Sequence, residues 1–105
     1  MSHTLPELTA LMAEVSDTYA ARNDIARDDD WYLLKLQEEL GELTAEYLRT
    51  SGRGRLKGAD ATAIRQALED EAADVLAMML LFARNHDIDL EAALERKWFK
   101  YLSRP

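Results

Sequence analysis

Leu33, Leu36, Leu40, Leu43 and Tyr47 recur at intervals of three and four residues. A helix advances by about 100° per residue, so this spacing gathers them into one apolar stripe. A strand would need strict alternation instead. The rest of the chain repeats the helical pattern. Leu8, Leu11, Met12, Val15 and Tyr19 predict a helix over residues 5–21, with Thr4 as N-cap and Pro6 in the first turn. The polar stretch 22–30 predicts a linker, and Asp28, Asp29 and Asp30 suit the start of a second helix over 30–49. Ile64, Leu68, Val75, Met78 and Phe82 predict a third over 60–84, and Asp89 caps a fourth over 90–102. Three of the four glycines fall between Gly52 and Gly58, which predicts a basic loop there.

The expected fold is therefore all-α, a four-helix bundle forming a single domain over residues 1–105. From Val75 to Phe82 the third helix is apolar nearly all round, with Leu76, Met79, Leu80 and Leu81 on its other sides. One short chain offers too few neighbours to cover it, which predicts a homo-oligomer, a dimer or tetramer.

Charge and cysteine usage narrow the function. The net charge of -7 disfavours binding to a nucleic acid polymer or an anionic membrane. No cysteine is present, so disulfides and thiolate metal sites are excluded. The longest apolar run, 75–83, is about half of a membrane span, and no basic-then-apolar leader opens the sequence. A cytoplasmic protein is expected.

Certain acidic residues stand on faces that should be apolar. Glu39 falls between Leu36 and Leu43 on the inner side of the second helix, with Glu42 and Glu46 bordering the stripe. Glu71 points the same way as Ile64, Val75, Met78 and Phe82, with Asp74 about 60° to one side. A buried carboxylate is costly unless it is paired or bound to metal. Lys35 and Arg65 are the nearby cations, and their positions place them on other faces. Two readings follow. Glu39 and Glu42 can converge with Glu71 and Asp74 on an oxygen-liganded cation such as Mg²⁺ or Mn²⁺. Alternatively, the acids are protonated or bridged by water in a loose interface.

Glu38-Glu39-Leu40-Gly41-Glu42, followed by Glu71-Ala72-Ala73-Asp74, resembles the EExxE and ExxD signature of MazG-like nucleoside triphosphate pyrophosphohydrolases. The resemblance covers residues 31–104, with the two halves at the long end of the family's spacing. It implies an all-α homodimer or homotetramer that uses Mg²⁺ to cleave a nucleotide between its α and β phosphates, and the family suggests a pool-cleansing role. By match of motif, Glu39, Glu42, Glu71 and Asp74 are metal ligands, and Glu38 is a general base or a ligand to a further ion. Lys97 and Arg104 match nucleotide contacts of the family's last helix, whereas Tyr101 stands where Asn is expected and Pro105 where Tyr is expected. This departure leaves the base preference open.

Further candidates come from residue type. Trp31 and Tyr32 offer aromatic faces for a base, or belong to the core. Arg53, Arg55 and Lys57 either close over a triphosphate or are simply solvated. Alternative functions are hydrolysis of phosphoribosyl-ATP by the same carboxylate chemistry, and a helical oligomerisation or regulatory module without catalysis. A di-iron carboxylate bundle would need Glu-x-x-His pairs, and neither His3 nor His86 follows an acid at that spacing.

Overall fold

The structure is a computed structural model that describes residues 2–55 and 58–103. Its helices are α1 (Leu5–Arg22), α2 (Asp29–Thr50), α3 (Ala61–Asn85) and α4 (Leu90–Trp98), followed by a 3₁₀ turn, Phe99–Tyr101. Among the described residues there is no strand, and no helix is long and apolar enough to cross a membrane.

Each helix starts on a side chain that accepts a hydrogen bond from an otherwise unpaired backbone N–H. Thr4 forms a reciprocal box with Glu7: its Oγ1 accepts from the Glu7 N–H at 3.2 Å, and its own N–H donates to Glu7 Oε1 at 2.8 Å. Asp28 accepts from the Trp31 N–H, Asp60 from that of Ala63 and Asp89 from that of Ala92. The linker after α1 turns at Asn23 and Asp24, the latter with φ +52°. Arg27 then ties the linker back onto α1, donating to Ser16 Oγ at 2.7 Å and Asp17 Oδ1 at 2.9 Å.

The body is an antiparallel pair, α2 and α3, with α1 laid against α3. Asn85 at the end of α3 donates to Asp29 at the start of α2 and fixes that register. Ala13, Tyr32, Met78 and Leu81 form the core, with Met12, Trp31, Leu36 and Phe82 around them. Tyr32 lies near the start of α2 and Met78 and Leu81 near the end of α3, so the core sits at one end of the pair. Glu39 and Glu71 lie about two turns further along each helix.

Several expectations need correction. The stripe assigned to α1 is largely outward: Val15 is 63% and Tyr19 60% exposed, while Ala13 and Ala20 are buried. Only a small side chain lets α1 come this close to Met78 and Leu81. On α2, Leu33, Leu40 and Tyr47 are about half exposed. The face of α2 that meets α3 instead follows Tyr32, Glu39 and Glu46, about 100° round the helix. The last helix stops at Trp98 rather than near residue 102. Its end is the run Trp98-Phe99-Lys100-Tyr101, whose aromatic residues are weak helix formers, and the last turn tightens to 3₁₀. None of the residues of α4 is buried, so three helices form the packed body and the fourth stands beside it.

A folded monomer of 12.0 kDa exposes about 6,000 Å². This chain exposes 8104 Å². Its radius of gyration is 16.6 Å, against about 13 Å for a compact chain of this length.

Gly41 sits mid-helix on α2, and a Cβ there would meet nothing within 4 Å. No other helix of the described chain exploits its lack of a side chain. Gly41→Ala should therefore stabilise the protein by up to about 1 kcal/mol in denaturant titration. A loss of stability, or a fall in solution mass, would show that another subunit packs against this position.

Candidate metal centre

The acids singled out by the sequence meet where the apolar core ends. One carboxylate oxygen from each of Glu39, Glu42 and Glu71 lies within 4.8 Å of the others. Glu39 and Glu42 come from one side of α2, three residues apart, and Glu71 faces them from α3. Glu39 is the most enclosed, its side chain 13% exposed, whereas Glu42 opens to solvent. Asp74 lies on the exposed rim and is not one of the three, although its charge is felt by both Glu39 and Glu71.

The electrostatics follow from this crowding. Burial pushes the Glu39 carboxyl up to about 7, helped by a hydrogen bond and like charge from Glu42 and by the charge of Asp74, with Lys35 opposing. Burial also raises Glu71, followed by the charges of Glu42 and Asp74. Glu39 Oε2 and Glu71 Oε2 are buried and have no hydrogen-bond partner among the described residues. Carboxylates cannot donate to one another unless one holds a proton. A proton shared with Glu42, a bridging water or a cation would relieve this crowding. A hard divalent cation fits an all-oxygen donor set of this kind.

The cations nearby are few. Lys35 is not confined to another face, as its position in the sequence suggested. Its flexible side chain reaches Glu38 at 3.3 Å and Glu39 at 3.9 Å. Glu46 pairs with Arg49 at 2.8 Å, and its charge still contributes to raising Glu71. Arg65 pairs with Glu69 on the outer face. Glu38 is 55% exposed at the water-side rim, held by Lys35.

A cleft of about 550 Å³ opens beside the centre. Glu39 and Asp74 form its acidic edge, with Lys35 nearby, and Trp31, Tyr19 and Met78 supply apolar walls. Trp31 is thus at the cleft, but Tyr32, the other aromatic candidate, is buried in the core with its ring edge-on to Trp31. Sequence reasoning missed Tyr19 as a wall of this cleft. It was read as core, because spacing alone cannot tell an apolar face that packs from one that borders a cavity.

Lys97 and Tyr101 are exposed on α4 and the 3₁₀ turn and do not line the cleft. Arg104 and Lys57 lie outside the described residues. Arg53 stacks over the Tyr47 ring and donates to Ser51 Oγ, and Arg55 is exposed. No protein-family model, curated protein or solved structure matches the chain.

Proposed function

We propose that the protein is a Mg²⁺-dependent nucleoside triphosphate pyrophosphohydrolase of the MazG-like kind, acting as a homodimer or homotetramer. The observation that carries this reading is the pair of enclosed oxygens, Glu39 Oε2 and Glu71 Oε2, without a hydrogen-bond partner among the described residues and belonging to one acidic cluster. A solvated acidic surface would have no reason to bury them. Glu39, Glu42 and Glu71 would hold the ion, with Asp74 joining from the rim by a change of rotamer. A divalent ion bound there would neutralise polyphosphate charge and acidify a water molecule. Glu38, exposed and paired with Lys35, would serve as the base that accepts a proton from water. Trp31 offers a stacking surface in the adjoining cleft for the nucleoside.

The surface excess supports the assembly. About 2,000 Å² beyond a compact monomer is what an obligate interface would remove from each chain.

The test is a panel of ribo- and deoxynucleoside triphosphates, with phosphoribosyl-ATP included, assayed with and without Mg²⁺. Monophosphate and pyrophosphate should appear only with the metal. Orthophosphate as the first product, or equal rates in chelator, would defeat the reading. Turnover confined to phosphoribosyl-ATP would keep the chemistry and change the substrate.

A further inference from the structure

Thr9, Thr44 and Thr50 satisfy their hydroxyls within their own helices. Each donates to the carbonyl four residues earlier, at 2.8, 2.9 and 3.0 Å. Ser16 on α1 does not. Its Oγ accepts from Arg27 Nη1 at 2.7 Å, and its own proton meets no acceptor among the described residues. Ser16 is also half-buried, and it lines the cleft beside the carboxylate centre.

The linker explains why the hydroxyl is left in this state. Arg27 folds the linker back onto α1 and holds a second grip on Asp17 Oδ1 at 2.9 Å, with its side chain 19% exposed. A guanidinium has donors only, so it engages the oxygen of Ser16 and leaves the proton free for another partner. The bond it donates also polarises the O–H and makes it a stronger donor.

The cleft has two kinds of lining. Lys35, Glu39 and Asp74 are its charged part, and Met12, Ile25 and Trp31 belong to its apolar part. Ser16 and Tyr19 carry the neutral polar side chains of the cleft, and Tyr19 is 60% exposed. A flat ring lying on Trp31 finds apolar contact for its faces, and Ser16 is the part-buried polar side chain left to meet its edge. With polyphosphate anchored at the charged part, that edge is the one furthest from the sugar. A carbonyl there takes the free O–H. An amino group instead brings a second N–H to an oxygen already loaded by Arg27, and it leaves the hydroxyl proton unpaired.

We propose that Ser16, oriented by Arg27, reads the far edge of the bound base and selects keto bases, such as uracil and hypoxanthine, over the amino bases cytosine and adenine. This names a substrate class and rests on the hydrolase reading for the phosphate end. The reader itself comes from α1, outside the segment 31–104 that carries the family resemblance.

The test uses the α,β-imido analogues of UTP and CTP, titrated calorimetrically into the full chain with Mg²⁺. The imido bridge blocks cleavage, so binding is read apart from turnover. Both bases carry the C2 carbonyl, and they differ at the far edge, where uracil has a C4 carbonyl and cytosine an amino group. The uridine analogue should bind about tenfold more tightly, the effect of one hydrogen bond made rather than lost. Ser16→Ala should bring the two analogues within about twofold of each other, chiefly by weakening the uridine analogue. Arg27→Ala should narrow the preference too, because it frees the oxygen to accept. General loosening of the cleft would weaken both analogues alike and leave their ratio unchanged. Equal binding of the two, a preference for cytidine, no binding of either, or a preference that survives Ser16→Ala overturns the proposal. Pyrophosphate release from UTP and CTP with equal kcat/KM overturns it as well, while the hydrolase reading stands. Keto-selective binding that depends on Ser16, without turnover of any triphosphate, supports the base reader and defeats the hydrolase reading.

Discussion

Glu71→Ala should lower Mg²⁺-dependent hydrolysis by at least about a hundredfold, since even partners of metal ligands cost 10- to 100-fold when removed. Glu69→Ala, two residues earlier, should leave the rate within about twofold, because its partner Arg65 is an exposed surface pair. The two variants should also differ in stability. Glu71 carries an enclosed oxygen with no partner among the described residues, and its carboxyl is raised mainly by burial. Removing it relieves a desolvation cost, so metal-free Glu71→Ala should melt no lower than the parent protein. Lost activity with unchanged or raised Tm separates loss of a ligand from loss of fold. Equal damage from both substitutions would contradict the assignment of Glu71, and so would a Glu71→Ala enzyme that keeps its rate.

The carboxylate cluster was legible in the sequence because of a conflict between patterns. Glu39 and Glu71 occupy positions that the 3-4 spacing of their neighbours marks as inward, and an acid in such a place stands out. The helix starts were equally legible, because Thr4, Asp28, Asp60 and Asp89 are short side chains that bond their own N-terminal backbone. The orientation of the stripes was not. On α2, the line Leu33, Leu40 and Tyr47 and the line Tyr32, Glu39 and Glu46 are each spaced by seven and lie about 100° apart. Spacing identifies both lines but not which one meets α3. That is decided by Tyr32 entering the core and by Asn85 fixing the start of α2 against the end of α3. Periodicity likewise gave no sign that α4 would leave its apolar face bare, since an amphipathic helix reads the same whether its cover is in its own chain or in another.

The metal-free protein should lose stability as pH rises from 5 to 8, the reverse of the usual behaviour of paired carboxylates. In an unfolded chain the Glu39 carboxyl titrates near 4.5, whereas in the fold it is pushed up to about 7. Between these values the native state holds a proton that the unfolded state has released, so stability falls with pH in that window. The contribution is fully present below about 4.5 and is lost as pH passes through about 7. Glu71 is shifted in the same direction and steepens the decline. The loss should be on the order of 2 kcal/mol, less than the full shift implies because the cluster opens to solvent at Glu42. Mg²⁺ should reverse the trend by taking the place of the shared proton: a large rise in Tm at pH 8, and little at pH 5, where protons compete for the same oxygens. Net negative charge alone would also destabilise the fold at high pH, so Glu39→Gln is the deciding control. An amide there cannot ionise, and the variant should be more stable than the parent at pH 8 without metal, with a flatter slope. If Glu39→Gln left the slope unchanged, or if Mg²⁺ raised Tm equally at both pH values, the enclosed acids would not be what joins metal, proton and fold.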